Sequence, residues 1–262
     1  MQRIESTDNN KIKRLTSLKQ KKVRLKENLF LMEGLKSISE AVSENADIDM
    51  ILISDSFVSK NVDFCAMLET TEFPIYITSD HNLVKCSNLK TPQGIIATIN
   101  IPNFSLEEVA NNEKFIVVLD GINDPGNLGT IIRAADAFKL GGVLLLPGCA
   151  DVYSPKTVQS TMGSILRIKC VDIGVNTLDE LQSYGFALYG MDLNGSKMSV
   201  ESFSKGKTAV AIGSESHGLS PQVLEKCTKK LRISMYGGAE SLNAAVAAGI
   251  VFHKVASEIY KD

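Results

Sequence analysis

The chain has 262 residues, 44% of them hydrophobic, five cysteines and a formal net charge of −2. That length suits one large domain or two modest ones. No apolar run approaches the roughly 20 residues that cross a bilayer, and the first residues lack the apolar centre of a secretory signal, so a cytoplasmic protein that engages no membrane is expected. Cys65, Cys86, Cys149, Cys170 and Cys227 are odd in number and scattered, with no Cys-x-x-Cys pair and no histidine cluster beside them. They read as reduced thiols, and no metal is expected.

From Asn9 to Lys26 the chain lacks Gly and Pro and spaces Ile12, Leu15 and Leu18 as a stripe, which predicts one basic amphipathic helix. Residues 1–30 hold nine Lys/Arg against three Asp/Glu, a local +6, while the rest of the chain carries −8. Such a run either contacts phosphates or solvates a helix face, and charge alone leaves both open. Alternation follows: strand Phe30–Met32, helix Gly34–Ser43, strand Met50–Ile53, helix Asn61–Leu68, strand Ile75–Ile77, helix His81–Ser87 and strand Gly94–Ile99. Residues 1–100 thus read as one α/β module. Residues 101–112, with Pro102, Asn103, Asn111 and Asn112, read as a linker.

Residues 113–262 repeat the alternation. Strands are predicted at Phe115–Leu119, Gly142–Leu146, Ile168–Asp172, Phe186–Met191, Thr208–Ile212 and Leu231–Ile233. Helices are predicted at Leu128–Leu140, Pro155–Gly163, Thr177–Ser183, Pro221–Lys226 and Leu242–Tyr260. Strands alternating with helices imply a mostly parallel sheet covered on both faces.

Three loops in this half share one punctuation: a strand, then glycines and small polar residues, then a helix. They run from Asp124 to Arg133, from Gly213 to Ser220 and from Ile233 to Ala244. In the first, Asn127 precedes the stripe Leu128, Ile131, Ile132 and Ala135 and is expected to cap that helix, and Arg133 lies off the stripe. In the second, Glu215 sits between Gly213 and Gly218, whose lack of a side chain permits close backbone approach. In the third, Ser241 is expected as the cap of the last helix.

In order and spacing these loops resemble the three motifs of the SpoU family of RNA ribose methyltransferases in the SPOUT superfamily. Phe30 to Gly34 and Thr91 to Gly94 resemble the accessory substrate-binding domain of that family. The resemblance implies an amino-terminal ribosomal-protein-like α/β RNA-binding domain and a carboxy-terminal α/β trefoil-knot methyltransferase domain. It implies Asn127, Arg133, Glu215, Ser241 and Asn243 as the catalytic set. Met191, Gly213, Ile233, Met235 and Leu242 would hold S-adenosylmethionine, and no metal would be needed. His217 matches no position where the family needs a general base. The chain departs from the family pattern at Ser234, where proline is common, at Ser214, and at Gln159, where arginine is common. The implied partner is structured RNA and not DNA, ribosomal RNA ahead of transfer RNA, handled by a homodimer.

Two rival readings can be weighed on the residues themselves. A dinucleotide-dependent oxidoreductase would need Gly-x-Gly-x-x-Gly, which Gly121, Gly126 and Gly129 do not form. An RNA-binding protein without catalysis would not need Asn127, Arg133, Glu215 and Ser241 together.

Overall fold

The computed structural model describes residues 1–199, 203 and 206–260. The first 102 residues contain β1 (Gln2–Ile4), α1 (Asn10–Ser17), α2 (Lys21–Glu27), β2 (Leu29–Glu33), α3 (Leu35–Ser43), β3 (Ile48–Ser54), α4 (Asp55–Lys60), α5 (Val62–Leu68), β4 (Ile75–Thr78), α6 (Asp80–Cys86) and β5 (Ile95–Asn100). The remainder contains α7 (Leu106–Asn112), β6 (Phe115–Asp120), α8 (Pro125–Ala137), β7 (Gly142–Leu145), α9 (Pro155–Thr161), β8 (Lys169–Asp172), α10 (Leu178–Ser183), β9 (Phe186–Lys197), β10 (Lys207–Gly213), α11 (Pro221–Lys226), β11 (Lys229–Arg232) and α12 (Ala244–Ile259). Two compact units result: residues 1–102 with 153–166, and residues 103–152 with 167–262. Among the described residues no helix is long and apolar enough to cross a membrane.

In the first unit the strands lie in the order β1-β4-β3-β5-β2. β5 runs antiparallel to both β2 and β3, whereas β4 is parallel to β1 and β3. The single basic helix expected at Asn9–Lys26 is two helices. The break at Leu18–Gln20 is sealed from within: the nearly buried Arg24 donates Nη1 to the carbonyls of Leu18 at 2.7 Å and Lys19 at 2.9 Å. Those carbonyls lose their helical partners where the chain turns, and the guanidinium replaces them. Ile12, Leu15 and Leu18 join the core with Leu29, Leu31 and Leu52, so the amphipathic stripe is structural. The two sequence signals of this unit also meet: a Cβ on Gly34 would come within 3.2 Å of Gln93 Oε1, and the amide of the next residue, Leu35, donates to that oxygen at 3.0 Å.

The second unit's described strands form a six-stranded sheet in the order β11-β9-β10-β6-β7-β8, and every pair is parallel. β6, buried almost throughout, carries Phe115, Ile116, Val117, Val118 and Leu119 at 0% exposure, as a central parallel strand covered on both faces requires. Phe115 meets Phe252 of α12 edge to face at 5.9 Å between ring centroids, and α12 packs along α8. The residues expected as linker are not irregular. Leu106–Asn112 is α7, and its Val109 and Ala110 are fully buried in the core of this unit. A capping box explains its start: the Glu108 amide donates to Ser105 Oγ at 3.2 Å, and the Ser105 amide returns a bond to Glu108 Oε2 at 2.7 Å. The asparagines and the proline that mark a linker here merely flank a short capped helix. The cysteines are all free. Burial pushes the thiol of Cys170 up to about 12 and that of Cys227 up to about 11.

Because Ser105 supports a helix that buries Val109 and Ala110, Ser105→Ala should lower stability by about 0.5–2 kcal/mol. Urea unfolding checks this: the midpoint should fall with the slope unchanged, and an unchanged midpoint would mean that the cap is not needed.

Candidate active site

The ends of β6 and β10 lie side by side at the carboxyl edge of the parallel sheet, and the loops leaving them build the site. After β6, Asp124 caps α8 by accepting the Asn127 amide at 2.8 Å, with Pro125 in the first helical position. The cap is therefore Asp124 and not Asn127, which stands one turn inside the helix. The signal is present in the sequence, since Asp followed by Pro is a cap followed by a residue preset for the first turn. Relieved of capping, the Asn127 side chain is free to reach across to the next loop.

That loop follows β10. Gly213 lets it fold back, since a Cβ there would come within 2.0 Å of the Gly218 carbonyl carbon and 2.3 Å of the Leu219 amide nitrogen. Gly218 adopts φ +65° and its amide donates to the Ser214 carbonyl at 2.8 Å, leaving Glu215 at the tip. Ser220 anchors the far side by donating its amide to Asp120 Oδ2 at 2.7 Å. The third loop ends at Asn243, which caps α12 by accepting the amides of Ala245 at 3.0 Å and Val246 at 3.2 Å. Here too the cap differs from expectation: Asn243 takes the role assigned to Ser241, because its Oδ1 sits opposite the first free amides of the helix.

The three loops are tied together by one carboxylate. Glu215 Oε1 accepts Nδ2 of Asn127, Nδ2 of Asn243 at 3.3 Å and the Ala244 amide at 3.2 Å. Asn243 Nδ2 also donates to Asn127 Oδ1 at 2.9 Å. A negative charge at the amino terminus of α12 is favoured by the helix dipole. Glu215 is exposed, so the value of the network lies less in stability than in fixing three side chains in one position.

Beside the network lies a cavity of about 420 Å³. Met191, Ile233, Met235 and Leu242 give it apolar walls, Gly213 and Ser241 also line it, and Glu215 is shared with the network. The size and lining suit a small ligand with an apolar part and a polar or charged part. Asp192, Asn194, His217 and Arg232 also line it and are not assigned from the sequence. Asp192 and Asn194 continue β9 beyond the strand end expected at Met191, so only the longer strand reveals them. His217 Nδ1 pairs with the neighbouring Ser216 hydroxyl at 2.7 Å. Arg133 is exposed on α8, off the buried face formed by Leu128, Ile131, Ile132 and Ala135. It does not line the cavity and has no hydrogen-bond or ion-pair partner among the described residues. The fold thus brings Asn127, Glu215 and Asn243 together and lines the cavity with Ser241 and all five expected cofactor residues, while Arg133 stands apart. Among the described residues no group of three His, Cys, Asp or Glu side chains could hold a metal ion.

Known proteins resemble this chain along its length. Residues 114–253 match the SpoU rRNA Methylase family, and residues 9–97 match the MRM3-like substrate binding domain. The chain is 36% identical, over 97% of its length and 99% of the relative's, to the 23S rRNA (guanosine(2553)-2'-O)-methyltransferase RlmP of Bacillus subtilis (strain 168). The AdoMet-bound rRNA methyltransferase of Sinorhizobium meliloti superposes with a TM-score of 0.85 at 25% identity, over 97% of each chain. The SpoU methyltransferase AviRb of Streptomyces viridochromogenes, in complex with AdoMet, gives 0.84 at 26% identity, over 97% of this chain and 99% of its own. A family match over more than half the chain, together with a relative aligned from end to end, shows that this chain is a member of the SpoU family of RNA methyltransferases.

Proposed function

We propose that this chain transfers a methyl group from S-adenosylmethionine to a ribose 2′-hydroxyl of 23S ribosomal RNA in the cytoplasm. The observation that carries the reading is the junction of the Glu215–Asn127–Asn243 network with the apolar cavity, at the carboxyl edge of a parallel sheet. Two similar structures are AdoMet complexes, and the Bacillus subtilis relative is a 23S rRNA enzyme. The donor, when bound, supplies an electrophilic methyl on a sulfonium.

Everything else falls to the chain's own residues. Met191, Ile233, Met235 and Leu242 would enclose the apolar end of the donor, with Gly213 allowing backbone approach. Glu215 already accepts three N–H donors on one oxygen. That favours orienting Asn127 and Asn243 over taking a proton. Arg133 would grip a substrate phosphate and stabilise the ribose oxygen as it loses its proton. A guanidinium always carries its charge and has no acceptor, so it serves as an electrostatic group and not as a base. Ser241, exposed at the rim, would contact the ribose. In-line transfer then needs mainly alignment, with the reacting atoms held about 3–3.5 Å apart.

The basic amino-terminal run contributes less than its charge implies. Lys13 pairs with Asp8, Arg14 with Glu27 and Asp49, Lys19 donates to two main-chain carbonyls, and Arg24 is buried. Lys21, Lys22 and Lys26 on α2 are exposed and remain for phosphate. The reading also includes a homodimer. α12 buries Ala248, Val251, Phe252 and Val255 but leaves Val246 and Ile250, one turn apart, 52% and 40% exposed, an apolar strip suited to a second copy of the chain.

Labelled S-adenosylmethionine with 23S and transfer RNA transcripts, followed by mapping of 2′-O-methyl sites, tests the activity; label in transfer RNA alone would overturn the ribosomal reading. Arg133→Ala should keep donor affinity by calorimetry and lose at least about 100-fold in turnover, the scale of removing one group that stabilises developing charge. Arg133→Lys should recover little, because an ammonium lacks the planar fork; near-normal turnover in either variant would remove Arg133 from the site. Replacing Lys21, Lys22 and Lys26 with Gln should lower the log–log salt slope of RNA binding by roughly 0.7–0.9 for each phosphate that is no longer neutralised. Those substitutions are preferable to deleting residues 1–26, which would strip Ile12, Leu15 and Leu18 from the core. In sedimentation, wild type should run as two copies and Ile250→Asp as one; a wild type that sediments as one copy would rule the dimer out.

A further inference from the structure

We propose that the first unit holds a pocket for one unpaired RNA nucleotide, separate from the methyl-transfer site; the inference rests on the RNA reading above. The pocket is a cavity of about 430 Å³ that shares no lining residue with the cavity beside Glu215. Leu31 and Val158, 2% and 5% exposed, supply an apolar floor on which the face of a base can rest. Among the polar side chains around it are Glu33 at the end of β2, Asn88 after α6 and Gln159 on α9.

Glu33 is held in place from one side. Its Oε1 accepts the Asn88 amide at 2.8 Å and Asn88 Nδ2 at 3.2 Å, and its Oε2 accepts the Ser87 hydroxyl. A carboxylate offers about four lone-pair positions, so about one remains on Oε2 for an outside N–H donor. Asn88 keeps its amide oxygen and a second amide hydrogen, and the exposed Gln159 side chain has no hydrogen-bond partner among the described residues. Together they present acceptors and donors around an apolar floor, which is what the edge and face of an unstacked base require.

The pocket also has the charge for a phosphate. Lys19 Nζ is fixed by the carbonyls of Lys85 at 3.1 Å and Ser87 at 2.7 Å, and an ammonium with three donors keeps one for a ligand. Lys156 also lines the cavity. A neutral apolar ligand would leave the Lys19 donor and the amides unused, whereas a nucleotide uses the floor, the amides and the Lys19 ammonium at once. Because the pocket shares no lining residue with the cavity beside Glu215, its effect is expected in selection of the RNA and not in the chemical step.

The test uses the full chain and a thiouridine-substituted 23S transcript. Photo-crosslinked peptides are mapped by mass spectrometry, and RNA affinity is measured for Asn88→Ala/Gln159→Ala and for the pocket-filling Ser37→Trp. Both residues of the double variant are exposed, so the fold should hold. Crosslinks should fall in the peptides carrying Asn88 or Gln159, RNA affinity should drop about tenfold in the double variant, and S-adenosylmethionine affinity should not change. Ser37→Trp should abolish those crosslinks. A wild type that methylates the transcript without crosslinks there, and a double variant that binds RNA as wild type does, would overturn the pocket and leave the methyltransferase reading standing. Crosslinks at these peptides with no methyl transfer would uphold the pocket and overturn the methyltransferase reading. A chain that binds no RNA would overturn both.

Discussion

The carboxylate of Glu215 is the constraint on which the site depends. One oxygen receives the side-chain amides of Asn127 and Asn243 and the first main-chain amide of α12. The carboxylate and the two asparagines come from three separate segments, the first turn of α8, the loop after β10 and the cap of α12, and their mutual bonds hold them in one arrangement. An exposed cluster of this kind adds only modestly to stability, because water competes for every bond. What it secures is geometry, and transfer of a group between two bound partners is governed by alignment. The same bond network starts α12, so a shift in the loop at Glu215 would be felt along the helix that packs on α8 and β10.

The cavity beside it follows from sheet direction. In an all-parallel sheet the strands end at one edge, and the loops leaving that edge are where a ligand finds unpaired backbone groups. β9 and β10 deliver Met191 and Gly213 there, and the segment after β11 delivers Ile233 and Met235. Gly213 is required by packing against the backbone of Gly218 and Leu219, a close approach that any side chain would prevent. The wall is thus built from residues that in isolation look like ordinary core, and only their place makes them a binding surface: Met191 just past the last β9–β10 pair, Gly213 at the end of β10, and Ile233 and Met235 after β11.

The first unit shows the same economy with charge. Its basic run looks like an open electrostatic face, yet Arg24 repairs a helix break, Lys19 holds the loop after α6, and Arg14 is paired with carboxylates. A net charge of +6 over 30 residues therefore overstates what is left for a partner. Of these fixed groups only Lys19 also lines the polar pocket around Glu33.

Most of the strands and helices, the parallel character of the second sheet and the three loops of the site are legible in the sequence, because period and punctuation are local properties of the chain; β1 (Gln2–Ile4) and α4 (Asp55–Lys60) are not, being three and six residues long. The apolar stripe of α8 is legible for the same reason, since a periodic pattern carries its own spacing. The caps expected at Asn127 and Ser241 are not the ones that form, since several polar residues near a helix start can each serve and the choice is made by where the chain enters. Asp124 wins through Pro125, and Asn243 through its reach to Ala245 and Val246. The helix at Leu106–Asn112 is hidden because Pro102 and Asn103 before it and Asn111 and Asn112 at its end carry linker signals, and its burial of Val109 and Ala110 depends on a core assembled from distant strands. Sequence by itself determined which polar residues stand at the ends of strands and the starts of helices. Only the tertiary structure decided that one oxygen of Glu215 gathers Asn127 and Asn243 while Arg133 stands clear of the cavity, because hydrogen bonds across 28 to 116 residues are set by packing and leave no trace in local spacing.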